Sequence, residues 1–286
     1  MDNSAILSSQ SVKQHCARRH KNGKIKISVQ SKSSIVLKLL VVVLLFLTVY
    51  AFYAFDYKEI QLGEAIAATF HNMKTVFLEP KLSTGTIQNV LYQLLITLCL
   101  GTLSTIFGAI LAFFCSLLCA KNLAPAWIAN LVKSFVALVR AVPTVLWVLI
   151  FAVSAGLGSV AAVIGLTFHS FAYLTKVYAE SIEEVDAGML EALRASGANF
   201  WQIVFQAVVP ASISRMVAWT FMRFEINFTN AVAMGAAAGA GGIGFQLFMA
   251  GSFYFNLHEM GFLTYMVVLA VIILEFCSTK MKAKVK

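Results

Sequence analysis

The sequence predicts an all-α membrane protein with about six transmembrane helices. Hydrophobic residues make up 59% of the chain and charged residues only 12%, and the mean hydropathy is +0.81, well above ordinary soluble proteins. Several apolar runs reach the roughly 20 residues that one helical crossing needs. The net charge of +9 would suit nucleic acid, but the basic residues flank the apolar runs, as orientation signals do. We therefore expect contact with a lipid bilayer and no nucleic acid.

The first 88 residues contain one crossing between two polar segments. Residues 1–34 form a basic tail with seven lysines and arginines against one acid, which predicts a cytoplasmic location. The apolar run 35–55 is predicted as the first transmembrane helix, because it is too long for the hydrophobic region of a cleaved signal peptide. Residues 56–88 lack the positive excess of the tail and are predicted to form a periplasmic segment.

The core, residues 89–279, is predicted to cross the membrane five more times. Pro143 is expected to kink the third crossing. The predicted crossings are Val90–Leu118, Ile128–Leu157, Val160–Tyr178, Ser214–Ala236 and Gly261–Ser278. The basic tail 280–286 closes the chain, so six crossings place both termini in the cytoplasm.

Residues 180–212, between the fourth and fifth crossings, are too polar to cross lipid and predict two short helices. Asp186 is a suitable N-cap for the first helix, and Gly197 can take the positive φ that ends it. A capping-box pattern at Asn199 and Gln202 begins the second helix. Helices this short are marginal without tertiary packing, and their apolar residues exceed what their own bundle requires. We expect a docking surface built from Met189, Leu190, Leu193, Phe200, Trp201 and Val204.

This segment resembles the cytoplasmic coupling loop of the ABC importer permeases. Their pattern is Glu-Ala-Ala, three residues, Gly, nine residues and an apolar-x-apolar-Pro ending, and the spacing is met from Glu191 to Pro210. Leu193 replaces the second alanine, and smaller residues stand at Ala207 and Val209. The resemblance implies a type I ABC importer permease fold whose coupling helix docks on a cytoplasmic ATPase dimer; an amphipathic interfacial helix is the alternative. The implied ATPase-coupling residues are Asp186, Gly188, Glu191, Ala192, Arg194, Gly197 and Pro210.

From about Arg140 to the C-terminus, the chain is similar to the phosphonate-import permeases and to related phosphite and phosphate-analogue permeases. The similarity lies in Gly156-Leu-Gly158, His169, Lys176-Val-Tyr-Ala-Glu180, Asp186-Ala-Gly188, Arg223-Phe-Glu225-Ile-Asn227 and Gly239-Ala-Gly-Gly-Ile-Gly244. It implies a non-catalytic inner-membrane subunit that forms a homodimer and imports phosphonates by alternating access. The implied partners are a second copy, an ATPase dimer and a periplasmic phosphonate-binding protein.

The substrate is left open by one departure from that branch. A basic residue commonly follows Asn227 in the phosphonate permeases, whereas Phe228 and Thr229 stand here. Phosphite, phosphate or another small oxyanion is therefore the alternative substrate. A secondary transporter is a more distant alternative, because it would want paired intramembrane carboxylates.

Arg223 is predicted to lie on a polar stripe inside the fifth crossing. It follows Ser214 by nine residues, which places it roughly 13 Å into the hydrocarbon at 1.5 Å per residue. An arginine at that depth is costly if it faces lipid, so it should face protein or a water-filled cavity. Thr220, Asn227 and Asn230 share its face by helical spacing and complete the predicted substrate pathway.

Two roles for Arg223 remain open at this point. Its planar fork suits phosphonate oxygens, but Glu225 of the other protomer could instead neutralise it in a dimer strut. Glu225 lies two residues along the helix and points to a different face. Within its own chain, it is expected to pair with a cation on another helix, such as Arg140 or Lys176.

The glycine motif after the fifth crossing is predicted to serve packing or bending, as a structural gate. Its spacing matches a dinucleotide fingerprint, but it does not follow a strand; a backbone anion nest is the alternative. The residues concerned are Gly239, Gly241, Gly242 and Gly244. No P-loop pattern occurs in the sequence, so ATP should be bound by a separate subunit.

No metal and no cofactor are predicted. The five cysteines show neither CxxC nor Cys/His spacing. Those in apolar runs are expected to be small buried hydrophobic residues. An intramembrane enzyme is disfavoured as well, because no nucleophile and base can be placed on facing turns.

Overall fold

The computed structural model describes residues 17–19, 25–27, 32–54 and 61–285. The chain divides into two compact units, Met1–Ala65 and Ile66–Lys286. In the first unit, strands β1 (Ala17–Arg19) and β2 (Ile25–Ile27) pair antiparallel, with Arg18 opposite Lys26. Helix α1 (Lys32–Ala54) follows them and exposes its apolar side chains, as expected of a helix in lipid. The rest of the predicted basic tail lies outside the described residues.

The second unit is a helical bundle with short connections. Helix α2 (Leu62–Leu78) begins four residues before the boundary and continues into the second unit. The other helices of the second unit are α3 (Ile87–Cys119), α4 (Ala126–Ala141), α5 (Thr144–Ala155), α6 (Ser159–Glu183), α7 (Ala187–Ala195), α8 (Phe200–Ile203), α9 (Val209–Ala238), α10 (Gly242–Phe248) and α11 (Leu257–Val285). Among the described residues, five helices are long and apolar enough to cross a membrane, or six if α4 and α5 form one bent crossing. This agrees with the number of crossings expected from the sequence.

Helices α3, α6 and α9 form the middle of the bundle. A Cβ added at Gly108 of α3 would lie 2.7 Å from the Cβ of Ser170 on α6, so the two helices approach as closely as they do because this residue has no side chain. The hydroxyl of Ser170 donates to the Leu166 carbonyl one turn back, at 2.6 Å. Small residues with satisfied hydroxyls are typical of close helix packing in membranes.

The kink expected at Pro143 is a complete break. Helices α4 and α5 meet at 89°, and both Val142 and Pro143 have extended backbone angles between them. Proline has no backbone N–H and pushes the preceding residue out of the α region. Helix α5 has 12 residues, which makes it about 18 Å long, too short to cross the hydrocarbon alone.

The second short helix of the polar segment is not separate from the fifth crossing, which corrects the sequence prediction. Residues Phe200–Ala238 form one continuous helix of 39 residues. Within it, a π-helical turn, Val204–Val208, joins α8 to α9. Pro210 follows this turn, and its ring would clash with the carbonyl of Gln206 in a regular α-helix. The wider turn gives the backbone the room that lets the helix continue.

Two predicted outer segments contain helices that the sequence analysis did not assign. Helix α2 lies within residues 56–88. Between the fifth and sixth crossings, α10 leads into a π-helical turn, Met249–Phe253. Helix α11 runs through most of the predicted tail to Val285.

Two of the four described cysteines differ from the prediction that they are buried. Cys119 is buried and Cys115 is half-buried, but Cys99 and Cys277 are exposed on the outside of the bundle. A span in lipid can place an apolar thiol outward at little cost, so an apolar run does not reveal which face a cysteine takes. Cys16 lies outside the described residues.

Candidate functional site: a docking loop and a buried arginine cluster

The loop between α6 and α9, residues 184–208, is named here the docking loop. It forms the helix ends that its sequence predicts. The Asp186 side chain accepts a hydrogen bond from the Met189 amide at 2.9 Å and caps α7. Gly197 follows the end of α7 with φ of 83°. Asn199 and Gln202 exchange bonds of 2.7 and 2.9 Å in a capping box. The predicted caps and the turn are therefore confirmed.

This loop is held against the bundle by hydrogen bonds from its own side chains and its neighbours. The Arg194 guanidinium donates to the carbonyl of Asn122 at 2.7 Å, and the Asn122 amide donates to the carbonyl of Ile182 at 2.8 Å. Arg215 donates to the Ser181 carbonyl at 2.8 Å and pairs with Glu184 at 3.0 Å. Arg194 thus braces the loop while its side chain stays exposed, and the ATPase contact implied for it by the family resemblance stays a prediction.

The apolar residues of the loop divide into a buried and an exposed set. Leu190 and Val204, which were predicted to belong to the docking surface, are 2% and 0% exposed and pack in the bundle core. This corrects the prediction, which could not tell which face of each short helix meets the bundle. The exposed set, named here the docking face, comprises Met189, Phe200, Trp201 and Phe205.

The docking face is a compact aromatic patch. Phe200 and Trp201 pack edge to face with their ring centroids 5.4 Å apart, and Trp201 stacks on Phe205 at 6.0 Å. Phe205 was missed in the sequence, although it lies four residues after Trp201 and therefore on the same helical face. Leu193, also predicted there, is half-buried.

The other residues implied for ATPase coupling remain accessible on or beside the same loop. Each of them is exposed in the described chain: Asp186, Gly188, Glu191, Ala192, Gly197 and Pro210. A Cβ added at Gly197 would meet no atom within 4 Å, so its backbone angle, and not crowding inside the chain, is what requires glycine.

Arg223 lies inside the bundle, as expected for an arginine at this depth. It is 2% exposed. Its Nε donates to the Ser170 hydroxyl at 3.0 Å, and its Nη2 lies 2.9 Å from His169 Nδ1. Because a guanidinium only donates, His169 Nδ1 is the acceptor and the imidazole is neutral. The Tyr173 ring lies against the guanidinium, 5.3 Å from Cζ to the centroid.

The remaining residues of the predicted stripe are tied into the same bundle. Asn227 is fully buried, and its amide donates to Thr105 at 2.8 Å and to Ser170 at 2.7 Å. The Thr220 hydroxyl lies 2.5 Å from that of Tyr178. Asn230 is half-buried. Thr220 and Asn227 therefore face protein, which is one of the two surroundings predicted for the stripe.

Glu225 lies beside a cavity in the bundle, and its expected pairing with Arg140 or Lys176 stays a prediction. Lys176, one expected partner, pairs with Glu180 at 3.5 Å, and Arg140, the other, lies against the Tyr173 ring at 5.9 Å. Glu225 lines a cavity of about 190 Å³ between α9 and α11, together with Glu275.

The glycine motif packs α10 against its neighbours, which agrees with the packing interpretation. A Cβ at Gly244 would lie 1.8 Å from the Val232 carbonyl oxygen of α9. A Cβ at Gly242 would lie 2.3 Å from the hydroxyl oxygen of Thr97 on α3, and that hydroxyl accepts a hydrogen bond from the Ile243 amide at 3.0 Å. The positive φ values of Gly239, Gly241 and Gly242 turn the chain between α9 and α10.

Comparisons with known proteins give one consistent family. The profile described as "Binding-protein-dependent transport system inner membrane component" matches residues 104–282. The phosphate-import permease protein PhnE of Mycolicibacterium smegmatis is 33% identical over 156 residues, 53% of this chain and 29% of that protein. The phosphite transport system permease protein PtxC of Stutzerimonas stutzeri is 32% identical over 152 residues, 53% of this chain and 55% of that protein. The chain thus spans about a third to a half of the length of these relatives.

Solved structures share the fold of the bundle. An inward-facing structure of the MetNI methionine ABC transporter superposes with a TM-score of 0.64 at 23% identity, covering 72% of this chain and 100% of that chain. A second, of an amino acid ABC transporter with histidines, gives a TM-score of 0.56 at 16% identity over 71% of this chain and 100% of that chain. The ABC importer permease fold expected from the coupling-loop pattern is thereby confirmed.

Proposed function

Since this chain belongs to the family of binding-protein-dependent transport system inner membrane components, we propose that it is the permease subunit of an ATP-driven importer of phosphonates or the related oxyanions phosphite and phosphate. In this proposal it forms a homodimer, a cytoplasmic ATPase dimer drives it, and a periplasmic phosphonate-binding protein delivers the substrate. ATP hydrolysis takes place on the ATPase subunits, so the chain itself has no catalytic role.

The substrate class rests on the chemistry that the names of the relatives have in common. One is named for phosphate and another for phosphite. A third, PhnE2 of Escherichia coli strain K12, is named as a cryptic phosphonate transport permease; it is 29% identical over 119 residues, 42% of this chain and 96% of that protein. Each name points to a tetrahedral phosphorus atom with anionic oxygens, for which guanidinium groups are suitable partners.

The docking face is the observation that carries the proposal. Trp201 and Phe205 are 50% and 60% exposed, although they sit on a loop that is braced to the bundle by hydrogen bonds. Interface residues that contribute most to binding are enriched in tryptophan and other large aromatics. A rigid loop that presents such residues loses little conformational entropy when a partner covers it. An ATPase groove is the partner that this family membership favours.

Arg223 and its stripe are proposed to contribute to the oxyanion pathway. Burial of a guanidinium among neutral groups is costly, and among the described residues no carboxylate forms an ion pair with it. An anionic substrate that reached Arg223 when α6 and α9 separate would supply that missing charge. Asn227 and Asn230 would then offer neutral amides that bind more weakly and permit release.

The docking role is tested by truncating the aromatic patch. Trp201→Ala and Phe205→Ala should insert into the membrane normally, because both side chains are exposed. Each should weaken ATPase attachment tenfold or more, since such residues often contribute over about 1.4 kcal/mol to an interface. The measurement is the amount of ATPase that copurifies with the tagged chain, together with uptake of methylphosphonate by whole cells.

Phe253→Ala is the matched control, because Phe253 is an aromatic residue that is at least as exposed, at 69%, and lies outside the docking loop. It should retain both copurification and uptake. Undiminished copurification with normal uptake in both docking-face variants would contradict the assignment of this loop to the ATPase.

A further inference from the structure

A charged cavity lies between parts of the facing sides of α4 and α6 near the docking loop. Its volume is about 270 Å³, enough for about nine waters at their share of the liquid volume. Two helical faces supply its charges: Lys133 and Arg140 on α4, and Lys176, Glu180 and Glu183 on α6. Cys119 and Glu183 are the last residues of their helices, so the cavity reaches the docking-loop end of the bundle.

Four of the five charges in this cavity are already paired. Lys133 lies 2.9 Å from Glu183, and Lys176 lies 3.5 Å from Glu180. In the described part of the chain, no carboxylate forms an ion pair with Arg140, which contacts the Tyr173 ring instead. The lining of the cavity therefore carries one positive charge in excess. That charge belongs to Arg140, which is the second-last residue of α4.

Arg223 is a second cation without an ion-pair partner among the described residues, and it contacts the same aromatic ring as Arg140. The Arg223 guanidinium lies against the same Tyr173 ring as that of Arg140, at 5.3 and 5.9 Å from the centroid. Its hydrogen-bond partners, His169 and Ser170, are neutral. Arg140 is exposed and Arg223 is buried, and both guanidinium groups contribute positive potential around the Tyr173 ring, which would attract an anion between α4 and α6.

We propose that Arg140 and this cavity form a binding site for a tetrahedral phosphorus oxyanion on the docking-loop side of the bundle. The inference rests on the proposed import function. In that function, the substrate leaves the chain toward the cytoplasm from this site. The Arg140 guanidinium can donate two parallel hydrogen bonds to two anionic oxygens. Arg223, which contacts the same Tyr173 ring, adds positive potential. Glu180 and Glu183 line the way out, so the paired charges there favour passage over tight retention.

The site predicts weak binding that depends on Arg140. The test uses the purified complex of the chain with its ATPase in nanodiscs of neutral lipid, with phosphorus NMR line broadening of inorganic phosphate and, separately, of methylphosphonate. Arg140→Gln should weaken binding of both ions at least tenfold. Arg140→Lys should recover part of it, since lysine restores the charge without the fork.

Two further variants show whether weaker binding by Arg140→Gln comes from loss of this site. One controls for the loss of any positive charge, and the other controls for misfolding. Lys81→Gln removes one exposed positive charge outside the cavity and should leave binding unchanged. Glu180→Gln frees Lys176 from its partner and should tighten phosphate binding severalfold, a gain that misfolding cannot produce. Equal binding by wild type and Arg140→Gln would overturn the site.

A phospholipid headgroup has the same chemistry as the free ion, and a third arm distinguishes them. In nanodiscs that contain phosphatidylglycerol, phosphate should still bind to wild type. If phosphate does not bind to wild type in either kind of nanodisc, and Arg140→Gln instead releases copurified phosphatidylglycerol, the cavity is a lipid site and the proposal is overturned. Whole-cell uptake is measured in parallel: uptake that survives Arg140→Gln but is lost in Trp201→Ala would remove this site and leave the proposed function standing.

Discussion

Arg223 of α9 and His169 of α6 are joined inside the bundle, with Nη2 2.9 Å from Nδ1. The contact links the helix that continues from the docking loop to the helix that precedes it. The bond is between a cation and a neutral ring, so it satisfies the donor without neutralising the charge. Any separation of α6 from α9 would leave the Arg223 guanidinium ready for an anion.

Replacing Arg223 distinguishes the two roles left open by the sequence. If Arg223 meets substrate, Arg223→Gln should leave assembly and ATPase attachment intact while methylphosphonate uptake falls at least tenfold, because a charge-assisted bond is lost. If it is a strut, Arg223→Gln and Glu225→Gln should both lower the yield of dimer in detergent. Size-exclusion chromatography and uptake measure the two outcomes, and a variant that assembles and transports like wild type would exclude both.

The turn after α7 should depend on backbone conformation at one residue. Gly197 has φ of 83°, which valine can adopt only with strain and asparagine adopts more readily. Gly197→Val should therefore reduce ATPase copurification and uptake severalfold, and Gly197→Asn should stay near wild type. Equal uptake by the two variants would show that this conformation is not required.

The joint between α9 and α10 should tolerate no side chain. A Cβ at Gly244 would lie 1.8 Å from the Val232 carbonyl oxygen, so Gly244→Ala forces the helices apart and should cost about 1–3 kcal/mol, typical of overpacking. The matched control is Gly63→Ala in α2, where a Cβ meets nothing within 4 Å and alanine favours the helix. The melting temperature in detergent reports the difference, and similar values for both variants would contradict the packing.

The orientation of the bundle is tested through single cysteines in a chain from which the native ones are removed. We expect Glu191→Cys to react with an impermeant maleimide only when the cytoplasmic side is open, and Lys81→Cys to react in intact cells, because basic flanks stay inside. Both positions are exposed. Labelling of Glu191→Cys from outside would refute the proposed orientation.

Local chemistry made much of this fold predictable. The crossings follow from runs of apolar residues, and the ends of α7 and α8 follow from Asp186, Gly197 and Asn199, whose roles depend on neighbours within four residues. Leu190 and Trp201 could not be told apart in the same way. Both are apolar on short helices, and only the position of the bundle decides that one is buried and the other exposed.

The contacts of Arg223 show the same limit of sequence-based prediction, here for residues far apart in the chain. The sequence predicted that Arg223 faces protein or a water-filled cavity, and the structure buries its side chain among protein. Its partners on α6 lie 53 and 54 residues away, and no local pattern selects them. The break at Pro143 was expected as a kink, but its 89° angle depends on what α4 and α5 pack against.

The π-helical turn, Val204–Val208, fixes how the length of this chain can change during evolution. Trp201 and Arg223 lie on one continuous helix, about 33 Å apart at 1.5 Å per residue. A deletion within regular α-helix would rotate one of them by about 100° relative to the other. A π turn holds one residue more than an α turn, but a deletion between Val204 and Val208 would return the backbone to α geometry beside Pro210 and restore the clash of its ring with the carbonyl one turn back. The spacing between the docking face and Arg223 is therefore expected to stay constant among homologous chains.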